Sequence, residues 1–305
     1  MAQAINYVTK DQGIYDQKIN QGLLTTVLGV PEVDLVNGGK SFTLTTISTS
    51  GLQNHTRGKG FNSGTVGNDK KVYTMGQDRD IEFFVDSQDV DETNQDLAVA
   101  NISKEFIEDH VQPELDAYRF STLGKKAVEA KQTADESLTV DNVYSRLKAA
   151  ILPLRKYGPQ NIVGFVSSET MDLLERSKEF SRSITNQNVG ITALESRVTS
   201  IDGVQLIEVW DESRFYSDYD FSDGYKPATD AKAINFEFVA KPAVIPVVKE
   251  NAIYMFAPGQ HTEGDGYLYQ NRLYHDIFVR DQKKDGIYVS YKAAATTASA
   301  STSSK

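Results

Sequence analysis

Residues 78–120, DRDIEFFVDSQDVDETNQDLAVANISKEFIEDHVQPELDAYRF, change their hydrophobic period once, and that change sets the architecture. Ile81, Phe83 and Val85 alternate with Asp80, Glu82, Phe84 and Asp86, the period of two expected of a half-buried strand. Beyond Asp86, Leu97, Ile102, Phe106, His110, Leu115 and Tyr118 recur at roughly helical spacing. Thr93, with Asp96 three residues on, resembles a capping box. The segment therefore predicts a strand feeding a helix over 94–131. At ~1.5 Å per residue that helix would run roughly 57 Å, against about 50 Å for a compact sphere of this chain, so an elongated molecule is expected. Pro113 removes one ladder hydrogen bond, and a kink within a single helix is expected there.

Composition narrows the function classes. A chain of 305 residues with 39% hydrophobic content can build one large domain or two of ordinary size. The absence of cysteine excludes disulfides and thiolate metal sites. The opening MAQAINYVTKDQGIYDQ has no basic region followed by an apolar run, and nothing approaches the ~18 apolar residues of a membrane span. A soluble protein with no membrane partner is expected. A net charge of −10 argues against a surface built to neutralise many phosphates. The 15 tyrosines suit extensive contact surfaces as well as cores.

Residues 1–39 scatter their apolar side chains without a clean period and read as an extended arm with one short helix over 15–28. A strand follows at 40–48, and then 50–76 carries six glycines and little core material. With a strand on either side, this is a hairpin excursion whose tip is expected at 57–71. Neither a helix nor a GK[ST] motif follows Gly58 and Gly60, so a phosphate-cradling loop is not indicated. Residues 132–138 read as a polar linker. Val140, Val143, Tyr144, Leu147, Ile151 and Leu154 then line one helical face, which Tyr157-Gly158-Pro159 stops. A buried strand at 162–166 and a helix at 168–176 complete a mixed α/β module, followed by a polar loop at 181–196. Two strand pieces flank Asp202-Gly203, and 211–230 is an acidic, tyrosine-rich loop. Three late strands are expected at 234–248, 267–280 and 287–291, the last two joined as a hairpin through Asp285-Gly286. The end, AAATTASASTSSK, has the composition of a disordered tail.

No reaction centre emerges. Asp86, Asp89, Asp91, Glu92 and Asp96 lack the glycine and the final glutamate of a calcium loop, and suit a helix N-terminus instead. His261, Glu263 and Asp265 share a loop, and His275-Asp276 could serve acid/base chemistry, but neither set has a third partner at identifiable spacing. No catalytic residue, metal ligand or cofactor site is assigned. A chain that devotes an arm, a glycine-rich hairpin and a tail to something other than chemistry points to self-assembly.

The runs DRDIEFFVD, DVDETN, PELDAYRF, IDGVQLIEV, HDIFV and GIYVSYK, in this order, resemble the major capsid protein family of tailed bacteriophages, particularly those of Gram-positive hosts. The resemblance covers most of residues 1–292 and implies an α+β fold of the Hong-Kong-97 type. In its terms the N-terminal arm is 1–39, the extended two-stranded loop 40–78, the peripheral domain with its long spine helix 79–134 and 241–292, the axial domain 135–240, and the disordered tail 293–305. It also implies a virion protein, assembled in the host cytoplasm as hexamers and pentamers of itself. Implied partners are a separate scaffolding protein, a portal protein and double-stranded DNA held by non-specific contact. Arg57, Lys59, Phe61, Lys70 and Lys71 are the subunit-interface candidates. Some relatives crosslink a lysine of the extended loop, but no matching motif carries that chemistry to Lys59. An encapsulin-type nanocompartment is the alternative within the fold. A carbohydrate-active enzyme with paired carboxylates is the alternative from another class.

Overall fold

Two sheets share one long helix, and a two-stranded ribbon leaves their junction. The computed structural model describes residues 21–29, 40–55, 57–58, 60–92, 99–177 and 198–293. The ribbon is β1 (Ser41–Thr49) against β2 (Val66–Thr74), antiparallel from Ser41↔Thr74 to Thr49↔Val66. Only its root is buried: Phe42 stacks on Tyr73 at 5.4 Å and both pack with Met75, Ile245, Val247 and Tyr274.

Strand β3 (Gln77–Asp86) enters a six-residue helix α1 (Ser87–Glu92), whose first turn holds Asp89. The expected capping residues Thr93 and Asp96, and Leu97 of the apolar stripe, lie outside the described residues. The long helix then runs as α2 (Val99–Phe106), one π-helical turn (Ile107–Val111) and α3 (Gln112–Glu129). Phe106, Val111 and Gln112 all keep helical dihedrals, so residues 99–129 form one helix of about 46 Å. Pro113 sits in the first turn of α3, directly after the widened π turn, where its missing N–H interrupts the α-helical ladder least.

The expected apolar stripe is only partly the buried one. His110 is exposed, Ile102 and Phe106 are half-buried, and Ile81 of β3 is 38% exposed. The reason is position: α2 lies over one face of a three-stranded sheet, whereas α3 packs more deeply, burying Pro113, Leu115, Asp116, Ala117, Arg119, Phe120, Leu123 and Ala127.

Residues expected as a polar linker instead form β4 (Thr133–Glu136), the parallel edge strand of a six-stranded sheet. Its four residues are too few and too polar to show a period. Helix α4 (Val143–Ile151) buries Val143, Leu147, Ala150 and Ile151, and a 3-10 turn carries on to Gly158, whose φ of 85° ends it as expected. Strand β5 (Ile162–Ser167) is buried throughout, and the Ser167 hydroxyl accepts from the Thr170 N–H to cap α5 (Ser168–Arg176). The expected loop at 181–196 lies outside the described residues. Strands β6 (Val198–Ile201) and β7 (Val204–Val209) are joined through Asp202 (φ 51°) and Gly203 (φ 80°), the left-handed pair a tight hairpin requires. The tyrosine-rich loop holds a 3-10 turn (Glu212–Arg214) and the short pair β8 (Tyr219–Asp220) and β9 (Lys226–Pro227).

The late strands differ most from expectation. The run 234–248 is two strands: β10 (Ile234–Ala240) ends at Lys241-Pro242, and β11 (Val244–Phe256) belongs to a different sheet. β11 also runs eight residues beyond Val248 and pairs along its length with β12 (Gly266–Val279), while β13 (Ile287–Lys292) does not pair with β12. A 3-10 turn over Asp281–Gly286 carries the chain between sheets, so the expected hairpin there does not form. The orders are β11-β12-β3 and β4-β13-β10-β5-β7-β6.

One face of the six-stranded sheet packs beneath α3 through Phe120, Leu123, Phe165, Val239 and Val289. The other packs beneath α4 and α5 through Leu147, Leu174, Leu206, Phe236 and Phe238. In the arm, the described structure is one 3-10 turn, Thr25–Leu28, not the helix expected over 15–28; residues 1–20 and the tail from 294 lie outside the described residues.

Candidate assembly interface

The arm, ribbon and helix are fixed to one another by polar groups buried at their junctions. Asp116 accepts from the Leu24 and Thr25 N–H groups at 2.9 and 3.0 Å, from the Thr25 hydroxyl at 2.7 Å and from Arg214 at 3.2 Å. The Asp116 and Arg214 side chains are both wholly buried, and Arg119 donates to the Thr25 hydroxyl at 2.8 Å. Gln21 adds a second clamp, donating to the Glu208 carbonyl at 2.7 Å and accepting from the Trp210 N–H at 2.8 Å. Burial pushes the Asp116 carboxyl up, and the Arg214 charge with the arm's donors opposes that. Sequence reading missed this site because the Arg lies 98 positions from the Asp.

The two histidine sets seen in the sequence are structural. His275 is 1% exposed, and burial, with the Arg119 and Arg79 charges, lowers its pKa to about 3, so it is neutral. Asp276 accepts from the Tyr118 hydroxyl and the Gly76 N–H, each at 2.8 Å, tying α3 to the start of β3. His261 Nε2 lies 2.8 Å from the Gly266 carbonyl, and no cluster of three potential metal ligands occurs among the described residues.

Of the interface candidates, Arg57 and Phe61 stand at the ribbon's end, Phe61 fully exposed. Lys59 lies outside the described residues. The tip is shorter than expected: β2 begins at Val66, so Lys70 and Lys71 stand on the shaft, opposite Thr45 and Leu44. Lys70 is exposed. Lys71 is engaged within its own chain, 2.5 Å from Asp281 and 5.2 Å above the Tyr73 ring. Hydrogen bonds from Lys284 and Lys71 bring the Asp281 pKa down to about 2. Along the ribbon, Ile47, Leu52, Phe61, Val66 and Val72 are all exposed.

No family model matches the chain, and no curated protein sequence does. Solved structures do. The capsid of Cyanophage P-SCSP1u superposes with a TM-score of 0.64 at 11% identity, over 95% of this chain and 94% of that one. The mature capsid of bacteriophage PhiM1 gives 0.62 at 15% identity, over 96% and 92%. This is a phage capsid fold. A structure from Mycobacterium phage Che8 agrees at 0.62 and 12% identity, over 93% and 97%. Each match spans both chains nearly end to end.

Proposed function

We propose that this chain is the major capsid protein of a tailed phage, a structural subunit that assembles as hexamers and pentamers into an icosahedral shell around double-stranded DNA. The observation that carries the reading is the ribbon. An isolated two-stranded ribbon is marginal in water, and this one exposes apolar side chains along its length with no cover from the described chain. A neighbouring copy supplies that cover. The Hong-Kong-97-type partition into arm, extended loop, peripheral and axial domains follows from the same reading, with β13 assigned by its pairing to the six-stranded sheet. Arg57, Phe61 and Lys70 face the neighbour, while Lys71 secures the ribbon's root. A scaffolding protein, a portal and assembly in the host cytoplasm complete the proposal.

The test is assembly itself. Purified protein, alone or with its scaffold, should form closed shells or regular hexamers and pentamers by negative-stain microscopy. Replacing residues 51–64 by a short turn should leave the subunit folded and weaken the shells. Amides of 50–65 should exchange rapidly in the free subunit and become protected in shells. A strictly monomeric protein at micromolar concentration with scaffold supplied would refute the reading.

A further inference from the structure

Beside the π-helical turn lies a cleft of about 520 Å³, within the ~300–1,000 Å³ of ordinary ligand pockets. Ile81, Phe83, Phe106, Val111 and Leu273 give it apolar walls, and neutral His275 lines it as well. The Phe83 and Phe106 rings meet edge-on at 5.3 Å and are only half-buried, leaving aromatic surface open toward the cleft. A third ring set against these two would extend the cluster in the geometry aromatic pairs prefer.

The ribbon ends in such a ring. Phe61 is fully exposed, and paired strands of nine residues each hold it about 30 Å from the root at Phe42 and Tyr73. The cleft lies at that root end of the molecule, because β3, which supplies Arg79, Ile81 and Phe83, starts three residues after Thr74. A ribbon extended from its own root therefore carries Phe61 away from its own cleft and toward another copy's.

Charge matches as well. The ribbon's end carries Arg57 and no carboxylate between Gly51 and Gly64. The cleft lip carries Asp80, Glu114 and Asp223. Glu114 and Asp223 are paired within the chain, at 2.8 Å from Arg79 and 3.6 Å from Lys226, which leaves Asp80 as the carboxylate open to a second copy. Asp80 has no ion-pair partner among the described residues.

We propose that this cleft receives the Phe61 ring of a second copy, with Arg57 of the ribbon's end beside Asp80 at its lip. The proposal rests on the capsid reading, which provides the second copy. The natural chain has no cysteine, so a Phe61→Cys, Ile81→Cys double variant can be oxidised without competing thiols. Assembled shells should then give an intermolecular ladder on a non-reducing gel, and neither single variant should. Phe61→Ala should melt like the natural subunit, because the side chain is exposed, yet assemble more than about tenfold less tightly, with Phe61→Tyr near natural strength. Shells of natural yield from Phe61→Ala, or oxidised shells without a ladder, would overturn the cleft assignment and leave the capsid reading standing. An intrachain disulfide in place of the ladder would also overturn it. Natural protein that forms no shells at all would remove the capsid reading and this proposal with it.

Discussion

Replacing Glu237 should make the subunit less sensitive to rising pH. Glu237 lies in β10, wholly buried, with Phe165 and Val289 beside it on the adjacent strands and α3 above that face. Neither carboxyl oxygen has a hydrogen-bond partner among the described residues. Burial alone raises its pKa well above the ordinary 4.5, so the folded chain holds a proton that the unfolded chain releases near that pH. Stability from this group is therefore full below about 4.5 and falls as pH rises toward the folded pKa, by about 1.4 kcal/mol per pH unit. The loss begins near pH 4.5 and ends where the folded group itself ionises. Glu237→Gln removes the titration and keeps the shape. Glu237→Leu also removes the unpaired oxygens and should add ~1–3 kcal/mol at pH 7. Thermal melts of the unassembled subunit and both variants from pH 5 to 8 are the assay. Other titrating groups contribute to every curve, so the difference between natural protein and Glu237→Gln isolates this one. Parallel curves across that range would show that Glu237 is hydrated or paired, and would refute the argument.

Two further substitutions probe the packing. Asp116→Ala leaves Arg214 with Asp211 as its remaining carboxylate partner and strips the acceptor from the buried Leu24 and Thr25 N–H groups, and should cost about 1–3 kcal/mol by thermal denaturation, with new proteolytic cleavage around 21–29. A loss below about 1 kcal/mol with intact arm protection would show that the clamp does not hold the arm. Gly164→Ala places a methyl group 2.7 Å from Leu206 Cδ2 and 2.8 Å from Phe238 Cδ1, and should destabilise by ~1–3 kcal/mol through overpacking; an unchanged Tm would mean that β5 can move away from both neighbours.

Some of this molecule is written locally. The ribbon strands, α4, α5, the Asp202-Gly203 turn and the long helix are each set by a period, a cap or a left-handed position within a few residues. The chain's composition and the order of its motifs also carry the expectation of assembly. What local pattern does not carry is which elements share a sheet. Residues 234–248 look like one strand because both halves alternate correctly, and only Pro242 and the pairing of each half show that the chain changes sheet there. β4 is a strand because β13 is beside it, and has no amphipathic signal of its own. Burial of Asp116 and Arg119 on α3 depends on the arm and on Arg214 arriving from distant parts of the chain. The apolar cleft likewise joins β3, β12, the π turn and the 223–226 loop. Periodicity records which side of an element faces inward; long-range pairing and charge compensation are properties of pairs far apart in sequence, and only the tertiary structure decides them.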